Sequence, residues 1–193
     1  MLENLKKYNI ILASKSPRRQ ELLKGIGLPF SILTKDVDES YSSEMPVFDV
    51  APFLSYKKAR AFEENELPDN YMVITADTVV VVGDMILGKP KDAEEAREML
   101  SMLSGRKHSV ITGVTIRTND KVKTFSVASK VSFEELDKDE IEYYVNTFKP
   151  YDKAGAYGIQ EWIGYIGVNH VEGSYFNVMG LPTQKLYMML KTF

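Results

Sequence analysis

Cysteine is absent from this chain of 193 residues. That omission excludes a disulfide framework, a thiolate nucleophile and cysteine zinc sites together. Histidine is nearly as scarce, with only His108 and His170 present. Acid–base chemistry therefore falls to carboxylates or to metal-bound water. No apolar run approaches a membrane span; the longest purely aliphatic one is Val79–Val82. The opening segment carries Glu3, and its apolar run is too short for a secretory signal. A basic excess is also missing: 24 Lys and Arg face 27 Asp and Glu, for a net charge of −3. A nucleic-acid partner would favour a basic face. The expectation is a cytoplasmic protein with no membrane and no nucleic-acid partner, with room for a local basic cleft around a small anion.

What is present has the balance of an ordinary globular protein. The length suits one domain or two small lobes, and no linker or internal repeat interrupts it. The most informative stretch is Asn9–Leu23, NIILASKSPRRQELL. It reads as a buried strand, a small-residue loop and a helix with Ser16 as N-cap and Pro17 at the first helical position. Leu22, Leu23 and Ile26 share one helix face, and Gly27 offers a stop. Arg18 and Arg19 fall on the first helical turn, where cations are disfavoured unless an anion joins them. The stretch is either a capped turn with two solvated arginines or a phosphate site.

Further along, Pro29–Leu33 reads as a short strand, Tyr41–Asp49 as a loop and Val50–Glu66 as a helix burying Phe53, Leu54, Ala61 and Phe62. Tyr71–Ala76 is a strongly apolar strand that runs into Asp77 and Thr78 and continues through Val79–Val82, turning at Gly83-Asp84 into Met85–Leu87. Asp92 with Glu95 resembles a capping box, and Asp137 with Glu140 starts another helix. The first precedes a helix burying Ala96, Met99, Leu100 and Leu103; the second precedes one burying Ile141, Tyr144 and Val145. His108–Thr118 and Val122–Phe133 read as strands around Asn119-Asp120. Pro150–Gln160 is glycine-rich and aperiodic, Trp162–Val168 and Val171–Glu172 are strand-like, and Pro182 opens a last helix. Hairpins mixed with a strand–helix unit predict an α/β fold with a mixed sheet.

Asp77 is the second unusual feature, because a carboxylate ending an apolar strand is costly to bury unless paired, coordinated or used. A turn aspartate is the plainer reading, but apolar residues resume directly after Thr78. Lys58 and Lys89 read on sequence alone as solvated lysines, with ligand contact as the alternative. Asp36, Asp38 and Glu39 are either a solvated triplet or oxygen ligands for a hard cation. Lys153, Gly155, Gly158 and Gln160 offer amides and an amide side chain to a ligand. His108 reads as a packed or capping residue. Basic groups, a helix N-terminus and several carboxylates together suit metal-assisted hydrolysis of a phosphate ester or anhydride.

Eight ordered blocks then carry a resemblance: ILASKSPRRQELL, VDE at Val37–Glu39, KKARA at Lys57–Ala61, ADTVV at Ala76–Val80, GKPKDAEEAREML from Gly88, LSGRKHSVITGV at Leu103–Val114, DKAGAYGIQ at Asp152–Gln160 and GSYFNVMGLP at Gly173–Pro182. Across nearly the whole chain it resembles the Maf proteins, nucleoside triphosphate pyrophosphatases also called septum formation inhibitors. The resemblance implies one Maf-like domain over residues 1–193, with an α/β fold of two lobes, a mixed twisted sheet and a deep central cleft, akin to inosine triphosphate pyrophosphatases. It implies cleavage to a nucleoside monophosphate and pyrophosphate with Mg²⁺ or Mn²⁺. It makes Asp77 the general base and a metal ligand, and Glu39 a metal or water-positioning carboxylate. Ser14, Arg19, Lys58, Lys89 and Lys153 would line the triphosphate site. Arg18, Thr78 and Gln160 look like the branch acting on dTTP and UTP. A homodimer would be typical of the family. The chain departs from the family pattern at Lys149, where Glu often precedes the proline, and over Glu161–Glu172. Alternatives are a 7-methyl-GTP or inosine triphosphate pyrophosphatase, or a nucleotide-binding regulator of cell division.

Overall fold

The apolar runs become strands and the capped periodic segments become helices. The computed structural model describes residues 2–193; Met1, the first residue of the expected domain, lies outside the described residues. In chain order the elements are β1 (Asn9–Leu12), α1 (Pro17–Gly25), β2 (Ser31–Ile32), α2 (Val47–Arg60), β3 (Tyr71–Val82), β4 (Met85–Leu87), α3 (Ala93–Leu103), β5 (Lys107–Arg117), β6 (Val122–Phe133), α4 (Lys138–Phe148), α5 (Trp162–Gly167), β7 (Val168–Glu172), α6 (Tyr175–Met179) and α7 (Thr183–Leu190). The strands form one seven-stranded sheet in the order β2-β1-β3-β5-β6-β7, with β4 paired to β3. It is mixed, as expected: β1 runs parallel to β2 and β3, whereas β4 is antiparallel to β3 and β7 to β6.

The chain divides into two compact units. One comprises residues up to Asp77, Thr112–Val127 and Gly180–Phe193; the other comprises Thr78–Ile111 and Ala128–Met179. In the first, β1 and β3 pair in the register Asn9↔Tyr71 to Leu12↔Ile74. Ile11, Phe62, Tyr71 and Val73 pack together there. Gly113 on β5 lets the strand meet α2 directly: a Cβ at this position would lie 2.3 Å from the carbonyl of Ala51. In the second unit, Val80, Leu100, Leu103, Phe133, Tyr144 and Ile163 belong to one apolar core.

The helices start at the expected capping residues. Ser16 accepts the Arg19 amide, Asp92 accepts the amides of Glu94 and Glu95, and Asp137 with Glu140 makes a reciprocal box. Glu95 departs from its expected role, taking the Lys91 amide at 2.7 Å instead of reaching back to Asp92. Lys149 adopts the left-handed conformation that ends α4, just before Pro150.

The structure departs from the sequence reading over Val50–Glu66 and Trp162–Val168. α2 begins at Val47 and ends at Arg60, so Pro52 lies inside it, and Glu64–Glu66 is a separate 3₁₀ turn. Phe53 is 37% exposed, because Val50, Ala51 and Leu54 take the buried face instead. Trp162–Gly167 is a helix, not a strand: Ile163 and Gly167, four apart, are its buried residues.

Candidate active site

In the first unit the site is built where α2 meets β3. Thr75 donates its hydroxyl to the Ser55 carbonyl at 2.6 Å, and the Ser55 hydroxyl meets that of Thr115 at 3.0 Å. The buried Arg117 donates to the carbonyls of Ala59 and Phe62 at 2.9 and 2.7 Å, closing the C-terminal end of α2. These bonds fix the helix turn that carries Lys58. Its ammonium contacts Asp77 and lies 2.8 Å from Glu39 Oε1. Asp77 is 7% exposed, in the middle of a twelve-residue strand. A buried carboxylate so placed is stabilised by its cation. Lys58, ordinary in the sequence, is the group that makes Asp77 tenable.

The remaining acidic triplet disperses. Asp36 pairs with Lys15 at 2.7 Å, and Asp38 pairs with Lys57 at 3.0 Å while accepting the Ser40 hydroxyl and amide. The Ser40 and Lys57 bonds hold Asp38 at about 2. Only Glu39 turns to Lys58 and thus to Asp77.

Arg19 is tied to backbone. Its Nε donates to the Gly180 carbonyl at 2.8 Å and its Nη1 to that of Ala76 at 2.9 Å, one residue before Asp77. Burial pushes the guanidinium below its ordinary value, Asp77 and Glu39 oppose that, and Arg18 adds to it. Ser14, 8% exposed, accepts the Ser16 amide at 3.2 Å. Ser14, Arg19, Glu39, Lys58 and Asp77 thus lie in one unit, and Arg18 adjoins Arg19.

The other predicted residues, Thr78, Lys89, Lys153 and Gln160, belong to the second unit. The Gly155 amide donates to the Gly88 carbonyl at 3.0 Å, tying the turn that bears Lys89 to the glycine-rich loop. Lys153 lies 2.7 Å from Asp152 and 3.1 Å from Glu161. Gln160 Oε1 is buried and has no hydrogen-bond partner among the described residues. His108 is packed, as the sequence suggested: Nε2 meets the Tyr157 hydroxyl at 2.7 Å, and burial lowers the imidazole to about 4. A separate open cavity lined by Arg106, Lys107, Glu134 and His170 contains none of the predicted site residues.

Sequence reasoning missed Ser55, Thr75, Thr115, Arg117, Tyr144 and Glu161. Small polar residues inside apolar runs were the available signal for the first three; Tyr144 was read only as core.

Chemically, the first unit offers a carboxylate held by a lysine, a second carboxylate on the same lysine, and a guanidinium close by. The donor set fits a divalent cation. Glu39 and Asp77 already share one positive group, and Mg²⁺ binds through one or two carboxylates completed by phosphate and water. Among the described residues no group of three or more His, Cys, Asp or Glu is placed to hold a metal. Also among them, no helix is long and apolar enough to cross a membrane.

Residues 9–193 match the family described as Maf-like protein. A dTTP/UTP pyrophosphatase of Parabacteroides distasonis is 52% identical over 194 residues, spanning 100% of both chains. Proteins of the same name from Phocaeicola vulgatus and Bacteroides thetaiotaomicron are 49% and 50% identical over 192 residues, each spanning 99% of both chains. A solved structure, that of the Staphylococcus aureus Ham1 protein, overlaps 65% of this chain and 71% of its own at a TM-score of 0.47 and 18% identity.

Proposed function

The chain belongs to the Maf family, and from that premise we propose that it hydrolyses dTTP and UTP to the nucleoside monophosphate and pyrophosphate. The observation that carries this reading is the convergence of Asp77 and Glu39 on Lys58. In the reaction, water oxygen bonds to the α-phosphorus as the bond from that phosphorus to the α,β-bridging oxygen breaks. Pyrophosphate leaves with the bridging oxygen, and the water proton passes to Asp77. Asp77 is the general base. Lys58 exchanges its hold on the carboxylates for a phosphate oxygen as substrate binds, releasing Asp77 toward water.

Glu39 and Asp77 are the residues that would hold Mg²⁺ or Mn²⁺. Such a cation offsets phosphate charge and makes water a better nucleophile. Arg19, anchored to the carbonyl before Asp77, sets the backbone there and presents positive charge. Ser14, Arg18 and Lys89 are assigned to phosphate. Gln160 is assigned to the base: thymine and uracil carry an N–H flanked by carbonyls, and an unpaired buried amide oxygen is an acceptor suited to that N–H. Thr78 next to the base catalyst completes the set attributed to pyrimidine choice. The curated relatives that share the chain's full length carry the dTTP/UTP name, which supports this substrate class.

The test is pyrophosphate release from a panel of ribo- and deoxynucleoside triphosphates with Mg²⁺ or Mn²⁺. The expected order places dTTP and UTP first in kcat/KM. Absence of release from every nucleotide overturns the enzymatic reading.

A further inference from the structure

Glu161 sits at the N-cap position of α5, yet its side chain caps nothing. A carboxylate at that position ordinarily takes one of the free amides of its own helix. Here both oxygens are committed elsewhere. Oε1 lies 3.1 Å from the Lys153 ammonium, and Oε2 accepts the Tyr144 hydroxyl. Tyr144 is fully buried on α4, and its oxygen in turn accepts the Gly158 amide at 3.0 Å. Gly158 makes the arrangement possible: a Cβ there would lie 2.9 Å from Glu161 Cδ and 3.1 Å from Lys153 Cε. Lys153, only 8% exposed in its side chain, is enclosed by Asp152 and Glu161. An ammonium engaged by a carboxylate on each side suits a structural tie better than a phosphate contact. Burial, with the Glu161 bond and charge added, pushes the Tyr144 phenol up, so it stays a neutral donor.

We propose that Glu161 is a positioning residue which, by bridging Lys153 and Tyr144, clamps the Gly158–Glu161 backbone and so fixes where Gln160 presents its amide to the base. This rests on the pyrimidine reading above and deepens it. A glutamine amide carries an acceptor and donors, and one that can invert satisfies uracil or cytosine equally. Discrimination between those bases therefore needs a glutamine whose place is fixed. The loop is held on one side by Gly158 to Tyr144 and on the other by Glu161 to Lys153, with Gln160 between them. Displacing a positioning group by about 1 Å can cost on the order of 100-fold in rate.

The variants are Tyr144→Phe and Glu161→Gln, both close to isosteric, assayed for kcat and KM on UTP and CTP. These two nucleotides differ only at the base edge. The expected result is a fall of tenfold or more in the UTP:CTP ratio of kcat/KM in both variants. Protection of the Gly158 amide from hydrogen exchange should fall as well. Equal losses on both nucleotides, leaving the ratio within twofold of the parent, overturn the positioning role and leave the pyrophosphatase reading intact. If Tyr144→Phe does not fold, Glu161→Gln decides alone, its site being at the edge of the core. A parent protein inactive on all triphosphates, or indifferent to the base, overturns the functional reading and this inference with it.

Discussion

Lys58 and Asp77 form a partly buried ion pair, with side chains 17% and 10% exposed. Neither residue is remarkable without the other. The lysine is one of several on an amphipathic helix, and the carboxylate is an unfavourable interruption of an apolar strand. Together, and with Glu39 on the same ammonium, they form a small charged centre of two carboxylates on one cation, the group to which the proposed proton transfer, cation binding and phosphate contact are assigned.

Replacing Asp77 by Asn removes the proposed proton acceptor while preserving shape. Turnover should drop about 1,000-fold, the middle of the range for loss of a general base. The far-ultraviolet circular dichroism should stay that of the parent. Steady-state pyrophosphate release measures the first and spectroscopy the second; unchanged kcat would remove Asp77 from its role.

Lys58→Met leaves Asp77 and Glu39 without their shared cation. Loss of one partner of a buried pair destabilises strongly, and partial exposure of this one reduces the cost to about 2 kcal/mol. Mg²⁺ or Mn²⁺ without nucleotide should then raise the melting temperature of the variant more than that of the parent. Thermal unfolding with and without metal reads both effects.

His108 couples stability to pH. Its folded value is about 4 against an ordinary 6.5, so between these limits the unfolded chain binds a proton that the folded chain refuses. The contribution is complete above pH 6.5 and is lost as pH falls toward 4. The size is about 3 kcal/mol, at 1.36 kcal/mol per pH unit. Denaturant unfolding at pH 7 and pH 5 should show the loss. His108→Gln, which keeps a polar partner for Tyr157 and does not titrate, should flatten it.

Gly113→Ala places a methyl 2.3 Å from the Ala51 carbonyl and Pro52 nitrogen, all backbone. Neither neighbour can move without displacing α2. The expected cost is about 3 kcal/mol or more, at the upper end of overpacking, seen as a lower denaturant midpoint or failure to fold.

Much of the fold was legible because it follows from local chemistry. Ser16 before Pro17, Asp92 before an apolar stripe and Asp137 with Glu140 announced helix starts from hydrogen-bonding capacity alone. The strand over Tyr71–Val82 and its turn at Gly83 followed from a long apolar run and a flexible break. Short segments were less legible. Six residues such as Trp162–Gly167 are apolar on every side and carry no period that separates helix from strand.

The sequence by itself determined which residues could bear charge into an apolar interior, and which segments had the periodicity to become helix or strand. It showed Asp77 as an anomaly and Gln160 as a candidate. Tertiary structure alone decided their partners, because a hydrogen bond or ion pair between positions far apart in the chain has no local signature. The lysine that meets Asp77, the arginine that closes α2, and the carboxylate and phenol that hold the Gly158 loop were all chosen by packing.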